Sequence, residues 1–170
     1  MLDKRVLDEL RRIVGKDQVL TEREDRIAFS YDGTFAEHLP DVVVNPANTE
    51  EVSQVLKVAY RENIVVVPRG MASGLAAGSI PFSGGMVLNL ARMNHILEID
   101  TANMVAWVEA GVVNADLQSA VEEVGLFYPP DPSSIKHSTI GGNVACNAGG
   151  PRCLKYGVTG DYVLGLTAVL

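Results

Sequence analysis

The sequence predicts an α+β protein built from two small α/β sub-domains, an N-terminal βαβ unit and a second, mixed sheet. Three observations carry that expectation. Val42-Val43-Val44 and Ile64 to Val67 are short apolar, mostly β-branched runs on either side of an amphipathic segment. That is the pattern of a strand–helix–strand unit, with parallel pairing and a right-handed crossover. Further on, Met86 to Leu90, Ile96 to Ile99 and Met104 to Glu109 read as strands, and an amphipathic helix succeeds them over Asn114 to Gly125. Finally, 170 residues suffice to bury one sizeable core or two small ones sharing it.

At the N-terminus, Asp3 to Gly15 places Val6, Leu7, Leu10, Ile13 and Val14 at helical spacing, and Gly15 is a suitable stop. Val19 to Pro40 is polar and irregular, with Tyr31-Asp32-Gly33-Thr34 reading as a turn. The strand Val42 to Val44 ends at Asn45-Pro46. Asn48 or Thr49 then caps a helix with Glu50 and Glu51 in its first turn, where the helix dipole favours acids. Val52, Val55, Leu56 and Ala59 form its apolar face. The next strand closes on Pro68-Arg69-Gly70. Val105, Trp107 and Glu109 alternate in the last of the three middle strands, and Leu117, Ala120, Val121 and Val124 line the helix after it. Phe127-Tyr128-Pro129-Pro130-Asp131-Pro132 must be extended, because three prolines fix φ. A strand is expected over Tyr162 to Leu170. Since the last residue lies inside it, the sequence reads as a fragment of something longer.

Composition excludes several classes. A net charge of −7 provides no global basic field for nucleic acid. No apolar run approaches the ~20 residues of a membrane span. The charged N-terminus lacks the apolar core of a signal peptide, which makes the cytoplasm the default location. Cys146 and Cys153 have neither metal nor redox spacing and are expected to be reduced structural thiols. His38, His95 and His137 are too scattered to hold a metal. His137, beside a glycine-rich segment, is by default an exposed loop histidine. Glu109 and Asp116 are ordinary strand-end and helix-start acids, so no catalytic acid or base is assigned.

The distribution of acids is more informative. The chain holds 21 Asp and Glu residues. Yet Asn63 to Leu97 contains none, and neither does Pro132 to Gly160. Buried strands exclude acids anyway, but each window also contains a glycine-rich segment.

The first is Pro68-Arg69-Gly70-Met71-Ala72-Ser73-Gly74-Leu75-Ala76-Ala77-Gly78, directly after a strand. Glycines every four residues let the backbone turn with φ > 0 and bring successive N–H groups against a ligand, a nest suited to phosphate oxygens. It is neither a Walker loop nor a Rossmann fingerprint. A flexible connector is the competing reading. The second is Thr139-Ile140-Gly141-Gly142-Asn143-Val144-Ala145-Cys146-Asn147-Ala148-Gly149-Gly150. Its two Gly-Gly pairs bracket a short apolar helical turn whose first N–H groups are expected to point outward. Ser138 and Thr139 suit N-capping or a phosphate contact, and Asn143 and Asn147 suit an amide or ring edge. A structural hairpin is the alternative. The two segments together point to the diphosphate of a dinucleotide, bound through backbone donors where no carboxylate repels it.

These two segments, with Tyr31-Asp32-x-Thr34, Tyr128-Pro129-Pro130-Asp131-Pro132 and Leu154-Lys155-Tyr156-Gly157-Val158, closely resemble the FAD-binding domain of the vanillyl-alcohol oxidase and p-cresol methylhydroxylase superfamily. Within it the resemblance is to the glycolate oxidase flavin subunit and D-lactate dehydrogenase branch. It runs over nearly the whole chain. It implies a p-cresol methylhydroxylase-type fold whose two sub-domains enclose FAD. Residues 1–170 would be the N-terminal part of that domain, without its C-terminal remainder and substrate domain. Pro68, Arg69 and the loop to Gly78 would wrap the diphosphate. Pro130, Asp131 and Pro132, together with Ser138 to Gly150, would line the rest of the cofactor. Tyr156 and Gly157 would sit close to it. The implied reaction is oxidation of a 2-hydroxy acid to the 2-oxo acid, with hydride passing to the flavin and a possible partner redox subunit. Met71, Ala72, Ala76 and Ala77 stand where relatives usually carry glycine. No histidine is present in this loop for covalent attachment, so FAD is expected to be non-covalent. The rival expectations are a non-catalytic cofactor-binding or assembly module, and an oxidase of the same superfamily for another substrate, such as an alditol or a peptidoglycan precursor.

Overall fold

The computed structural model describes residues 2–170. It divides into two compact units, one running to Arg92 and taking back Ala168–Leu170, the other spanning Met93–Thr167.

The first unit is a four-stranded sheet with helices. Its elements are α1 (Lys4–Val14), β1 (Val19–Leu20), α2 (Arg23–Ile27), β2 (Val42–Val44), α3 (Thr49–Arg61), β3 (Val66–Arg69) and β4 (Met86–Asn89). The strand order is β1-β2-β4-β3, with β1 antiparallel to β2 and the other pairs parallel. Val87 stands opposite Val43 on one side and Val67 on the other. Both helical expectations of this unit hold. Asp3 caps α1 by accepting the Arg5 N–H at 2.7 Å. Asn48, rather than Thr49, caps α3 by accepting the Glu51 N–H at 2.9 Å. The two helices pack against each other, and their exposed sides carry the Arg5–Glu62 and Arg61–Glu9 ion pairs. Arg61 and Arg5 hold the Glu62 carboxyl below the usual carboxylate range, though exposed pairs of this kind add little stability.

The placement of β4 corrects the sequence expectation. That strand lies between β2 and β3, so the two strands of the βαβ unit, expected to pair in parallel, are not neighbours. The burial pattern gives the reason. Met86, Val87 and Leu88 are all buried, as are Val42 to Val44, and consecutive apolar residues of that kind suit strands covered on both faces. The strand β3 carries Pro68, which has no N–H to give to a ladder and is tolerated at an edge.

The second unit holds an antiparallel pair, β5 (Ile96–Asp100) and β6 (Val105–Val108), and three helices: α4 (Asn114–Glu123), α5 (Ile140–Cys146) and α6 (Cys153–Tyr156). Its sheet is therefore two-stranded and antiparallel, not mixed. Val112, Leu117 and Val121 form its core, with Ile96, Ile99, Ala106, Val108 and Ile140 packed around them. The strand expected over Tyr162 to Leu170 does not form. Instead Thr159–Tyr162 is a 3₁₀ turn, and the residues beyond it find no pairing edge among the described residues. Apolar composition alone does not make a strand without a neighbour to complete its ladder.

One carboxylate clamps the start of the parallel pair β2–β4. Asp41 accepts the Gly85 N–H at 2.9 Å, while its own N–H donates to the Gly85 carbonyl at 2.7 Å. The Gly85 donor holds the Asp41 carboxyl below its ordinary value. Because the folded-state value is depressed, the stabilisation is present above the unfolded carboxylate pKa of about 3.9 and is lost as pH falls through the folded value. Asp41→Asn is therefore expected to cost about 1 kcal/mol at neutral pH, a modest figure because the group is partly exposed. The difference from the unsubstituted protein should shrink below about pH 4. Urea unfolding of both proteins across this range checks it.

Candidate cofactor-binding site

In the first unit the glycine-rich loop leaves the edge strand β3 at Pro68. Arg69 is buried, 7% exposed, and its guanidinium reaches the chain just beyond the end of α2. It donates to the Ala28 carbonyl at 3.3 Å and the Phe29 carbonyl at 3.5 Å, and lies 5.5 Å over the Phe29 ring. Burial pulls its pKa down, with the charges of Asp32 and Tyr31 acting in opposition. In this structure Arg69 anchors the entry to the loop, whereas the resemblance implied a place against the diphosphate.

From Gly70 to Ser79 no backbone N–H donates to a protein acceptor among the described residues. Backbone donors are rarely left without partners in folded proteins, so a continuous run of them marks a surface built to meet an acceptor or water. Positions for a Cβ on Gly74 and Gly78 have nothing within 4 Å, which leaves that side of the loop open. The glycines do not work as the sequence suggested. None of Gly70, Gly74 and Gly78 has a positive φ; the left-handed positions fall on Ala72 (φ 52°) and Ala77 (φ 56°). At these two positions a glycine would be conformationally free and an alanine is strained. Met71 and Leu75 are exposed, and Ser73 is half-buried.

In the second unit the other predicted residues are held mainly by one another. Pro129 and Pro130 are buried, and the Pro130 carbonyl accepts from the side chains of Asn114 at 3.2 Å and Gln118 at 2.9 Å. Asp131 accepts the Arg152 N–H at 3.1 Å and pairs with the Arg152 side chain at 3.3 Å. Gly150 lies so close to Asp131 that any Cβ would collide with the Asp131 carbonyl. The Pro130-Asp131-Pro132 turn and the Gly149-Gly150 corner are thus built against each other.

The start of α5 corrects a further expectation. Ile140 donates to the Val112 carbonyl and Gly141 to the Ala110 carbonyl, both at 2.8 Å, and Gly142 donates to the Thr139 hydroxyl at 3.3 Å. Those N–H groups are spent within the protein rather than pointing outward. Gly141 is required because a Cβ would lie 2.8 Å from that of Ala110. Asn143 is buried and donates to Asn114 at 2.9 Å. Asn147 takes a left-handed φ of 48° as the C-cap of α5, and its side chain accepts the Gly160 N–H at 2.8 Å. Asn147 therefore holds the Gly160 backbone, and Asn143 braces the Asn114 side chain. Ser138 differs from them: its residue is buried, and its hydroxyl oxygen has no partner. Ala145 is exposed on α5. Tyr156 packs edge-on to Phe127 at 5.7 Å with the Lys155 ammonium 4.7 Å above its ring. Gly157, with φ 86°, closes α6 where a Cβ would strike the Asp161 carboxylate.

Residue types alone missed Asn114 and Thr159, both fully buried. Asn114 joins α4, α5 and Pro130, while Thr159 donates to the Ala148 carbonyl at 2.7 Å. The only available signal was a polar residue at a helix start. His137 is exposed, and His95 pairs with Glu109 at 2.7 Å. Both cysteines are free and exposed. No cluster of potential metal ligands occurs among the described residues, and no helix among them is long and apolar enough to cross a membrane.

In the first unit, an acid-free loop with unspent donors and an open face fits a ligand rich in phosphate oxygens. Residues 40–170 match the family described as FAD binding domain. The chain belongs to that family. As an FAD binding domain it takes FAD as its cofactor, and its fold is the mixed α+β arrangement of its structural neighbours. It is 47% identical over its whole length to glycolate oxidase subunit GlcD of Bacillus subtilis, covering 36% of that protein. It is 40% identical over 97% of its length to D-lactate dehydrogenase of Anaerostipes hadrus, covering 35% of it. The chain thus spans about a third of the length of these relatives. Among solved structures, alkyldihydroxyacetonephosphate synthase superposes with a TM-score of 0.91 at 24% identity, over 99% of this chain and 37% of the other. For p-cresol methylhydroxylase the values are 0.70 and 21%, over 85% and 29%. At these identities both comparisons establish the fold.

Three substitutions probe the loop and its anchor. Arg69→Met leaves the Ala28 and Phe29 carbonyls without their donor and should destabilise the apoprotein by about 2 kcal/mol in urea unfolding. Ala72→Gly and Ala77→Gly relieve left-handed strain at some cost in unfolded-state entropy, and each should raise stability by about 0.5 kcal/mol, read as a higher thermal midpoint.

Proposed function

We propose that this chain is the flavin-holding part of an oxidoreductase that oxidises a 2-hydroxy acid, of the glycolate or D-lactate kind, to the 2-oxo acid. The observation that carries the cofactor half of the proposal is the run of backbone donors from Gly70 to Ser79, lacking protein acceptors and lying in a stretch without acids. These donors hold the FAD diphosphate, where backbone N–H groups serve an acidic protein without a lysine field. The Ser138 hydroxyl supplies a further donor. Pro130 to Pro132, Gly141, Gly142, Ala145, Gly149, Gly150, Tyr156 and Gly157 line the cofactor. Arg69, Thr139, Asn143 and Asn147 contribute by fixing the backbone that does so.

The chemistry supplied by bound FAD is acceptance of a hydride from the substrate carbon; the chain supplies binding and orientation. The loop from Pro68 to Gly78 has no histidine, and the cofactor is held non-covalently. The substrate half of the proposal is supported by relatives named for glycolate and D-lactate, both 2-hydroxy acids. Residues of a longer protein complete the flavin pocket and bind substrate, and a second redox subunit takes the electrons, as the subunit name of one relative suggests.

The experiment is an absorbance spectrum of the purified full-length protein, with glycolate and D-lactate then added anaerobically. A visible flavin band that bleaches with one of them is expected, and acid precipitation should release the flavin into the supernatant. A flavin that stays oxidised with every 2-hydroxy acid overturns the substrate class, and a flavin that remains in the pellet overturns non-covalent binding.

A further inference from the structure

We infer that the Tyr31–Thr34 turn is the seat that gives the Gly70–Ser79 loop its shape, with Gly33 as a positioning residue for cofactor binding. The inference rests on the proposed role of this loop in holding the FAD diphosphate.

The loop makes no backbone hydrogen bonds of its own through its N–H groups between Gly70 and Ser79. A glycine- and alanine-rich segment in that condition is costly to order, so its conformation must be imposed from outside. Residues 28–34 supply the contacts that do so. At the loop entry, Arg69 is tied to the Ala28 and Phe29 carbonyls. In its middle, Gly33 lies directly against the chain. A Cβ on Gly33 would stand 2.8 Å from the Gly74 carbonyl oxygen, 3.3 Å from that of Ser73 and 2.9 Å from a methyl of Leu75. Two of these neighbours are backbone atoms of the loop itself. On Gly74 a Cβ would meet nothing within 4 Å, so the loop is supported at Gly33 and open at Gly74.

The seat itself is stiff. Asp32 accepts from the Thr34 N–H at 2.8 Å and from the Thr34 hydroxyl at 2.7 Å, and the same hydroxyl accepts the Ala36 N–H at 3.2 Å. Tyr31 and Glu37 form an antiparallel bridge behind it, and the His38 N–H donates to the Ser30 carbonyl at 2.9 Å. Gly33 has no positive φ, so an alanine there is not strained in its own backbone. Gly33→Ala therefore reports on the contact alone.

The test uses the full-length holoprotein and its FAD-stripped form. Gly33→Ala is expected to weaken FAD binding about tenfold or more, as overpacking against a backbone does. Chymotryptic cleavage after Leu75, within the loop, should speed up several-fold in the apoprotein as the loop leaves its seat, while the apoprotein thermal midpoint stays that of the parent. Unchanged cleavage overturns the inference, whatever happens to affinity. So does a lowered midpoint large enough to account for the weaker binding. Faster cleavage with unchanged FAD affinity upholds the seat and instead overturns the assignment of this loop to FAD. If Gly33→Ala does not fold, Thr34→Val takes its place: it removes the hydroxyl at the centre of the turn without adding bulk, and smaller changes in the same two directions are expected. Parent values in both readouts for Thr34→Val overturn the inference.

Discussion

Backbone N–H groups in a folded protein must meet an acceptor, and in this chain a whole loop, Gly70 to Ser79, leaves that requirement open. Much of the first unit serves to make that condition tolerable. The loop begins at an edge strand, where Pro68 costs no ladder bond. Arg69 fastens its first turn to Ala28 and Phe29, and Gly33 supports its centre. The segment Asn63 to Leu97 itself carries no carboxylate, although the chain as a whole is acidic and the neighbouring turn holds Asp32.

The second glycine-rich segment solves a different problem with the same residue type. Its donors at Ile140, Gly141 and Gly142 are consumed inside the protein, and its glycines are there for room. Gly141 passes Ala110 and Gly150 passes Asp131 at distances that admit no side chain. Asn114, Asn143 and Pro130 form a buried polar chain that fixes α4, α5 and the proline turn as one piece. Satisfied networks of this kind specify a single arrangement. The Ser138 hydroxyl stands apart from this network, buried and without a protein partner.

Local pattern made much of the fold legible. Helical periodicity located α1 and α3, and capping residues placed their starts, because both signals act within a few residues along the chain. The strands β2, β3, β4, β5 and β6 were also visible as apolar runs. Their partners were not. That Met86 to Leu88 enters the first sheet between β2 and β3 depends on which strands bury both faces, and an apolar run does not state this by itself. The tail after Tyr162 has strand composition and no edge to join among the described residues.

The candidate site divides in the same way. Sequence by itself determined the chemistry: two glycine-rich segments in acid-free stretches, in an order shared with FAD-binding proteins, and so the class of ligand. Tertiary structure decided what each residue does there. It turned Arg69 back onto carbonyls, used Asn143 and Asn147 as internal braces, and put the left-handed conformations on Ala72 and Ala77 instead of the glycines beside them. The physical reason is one of range. Residue type and spacing set what a segment is able to donate. Whether a given donor is free depends on which distant carbonyl or side chain the fold brings up against it, as it brings Ala110 to Gly141 and leaves Gly74 open.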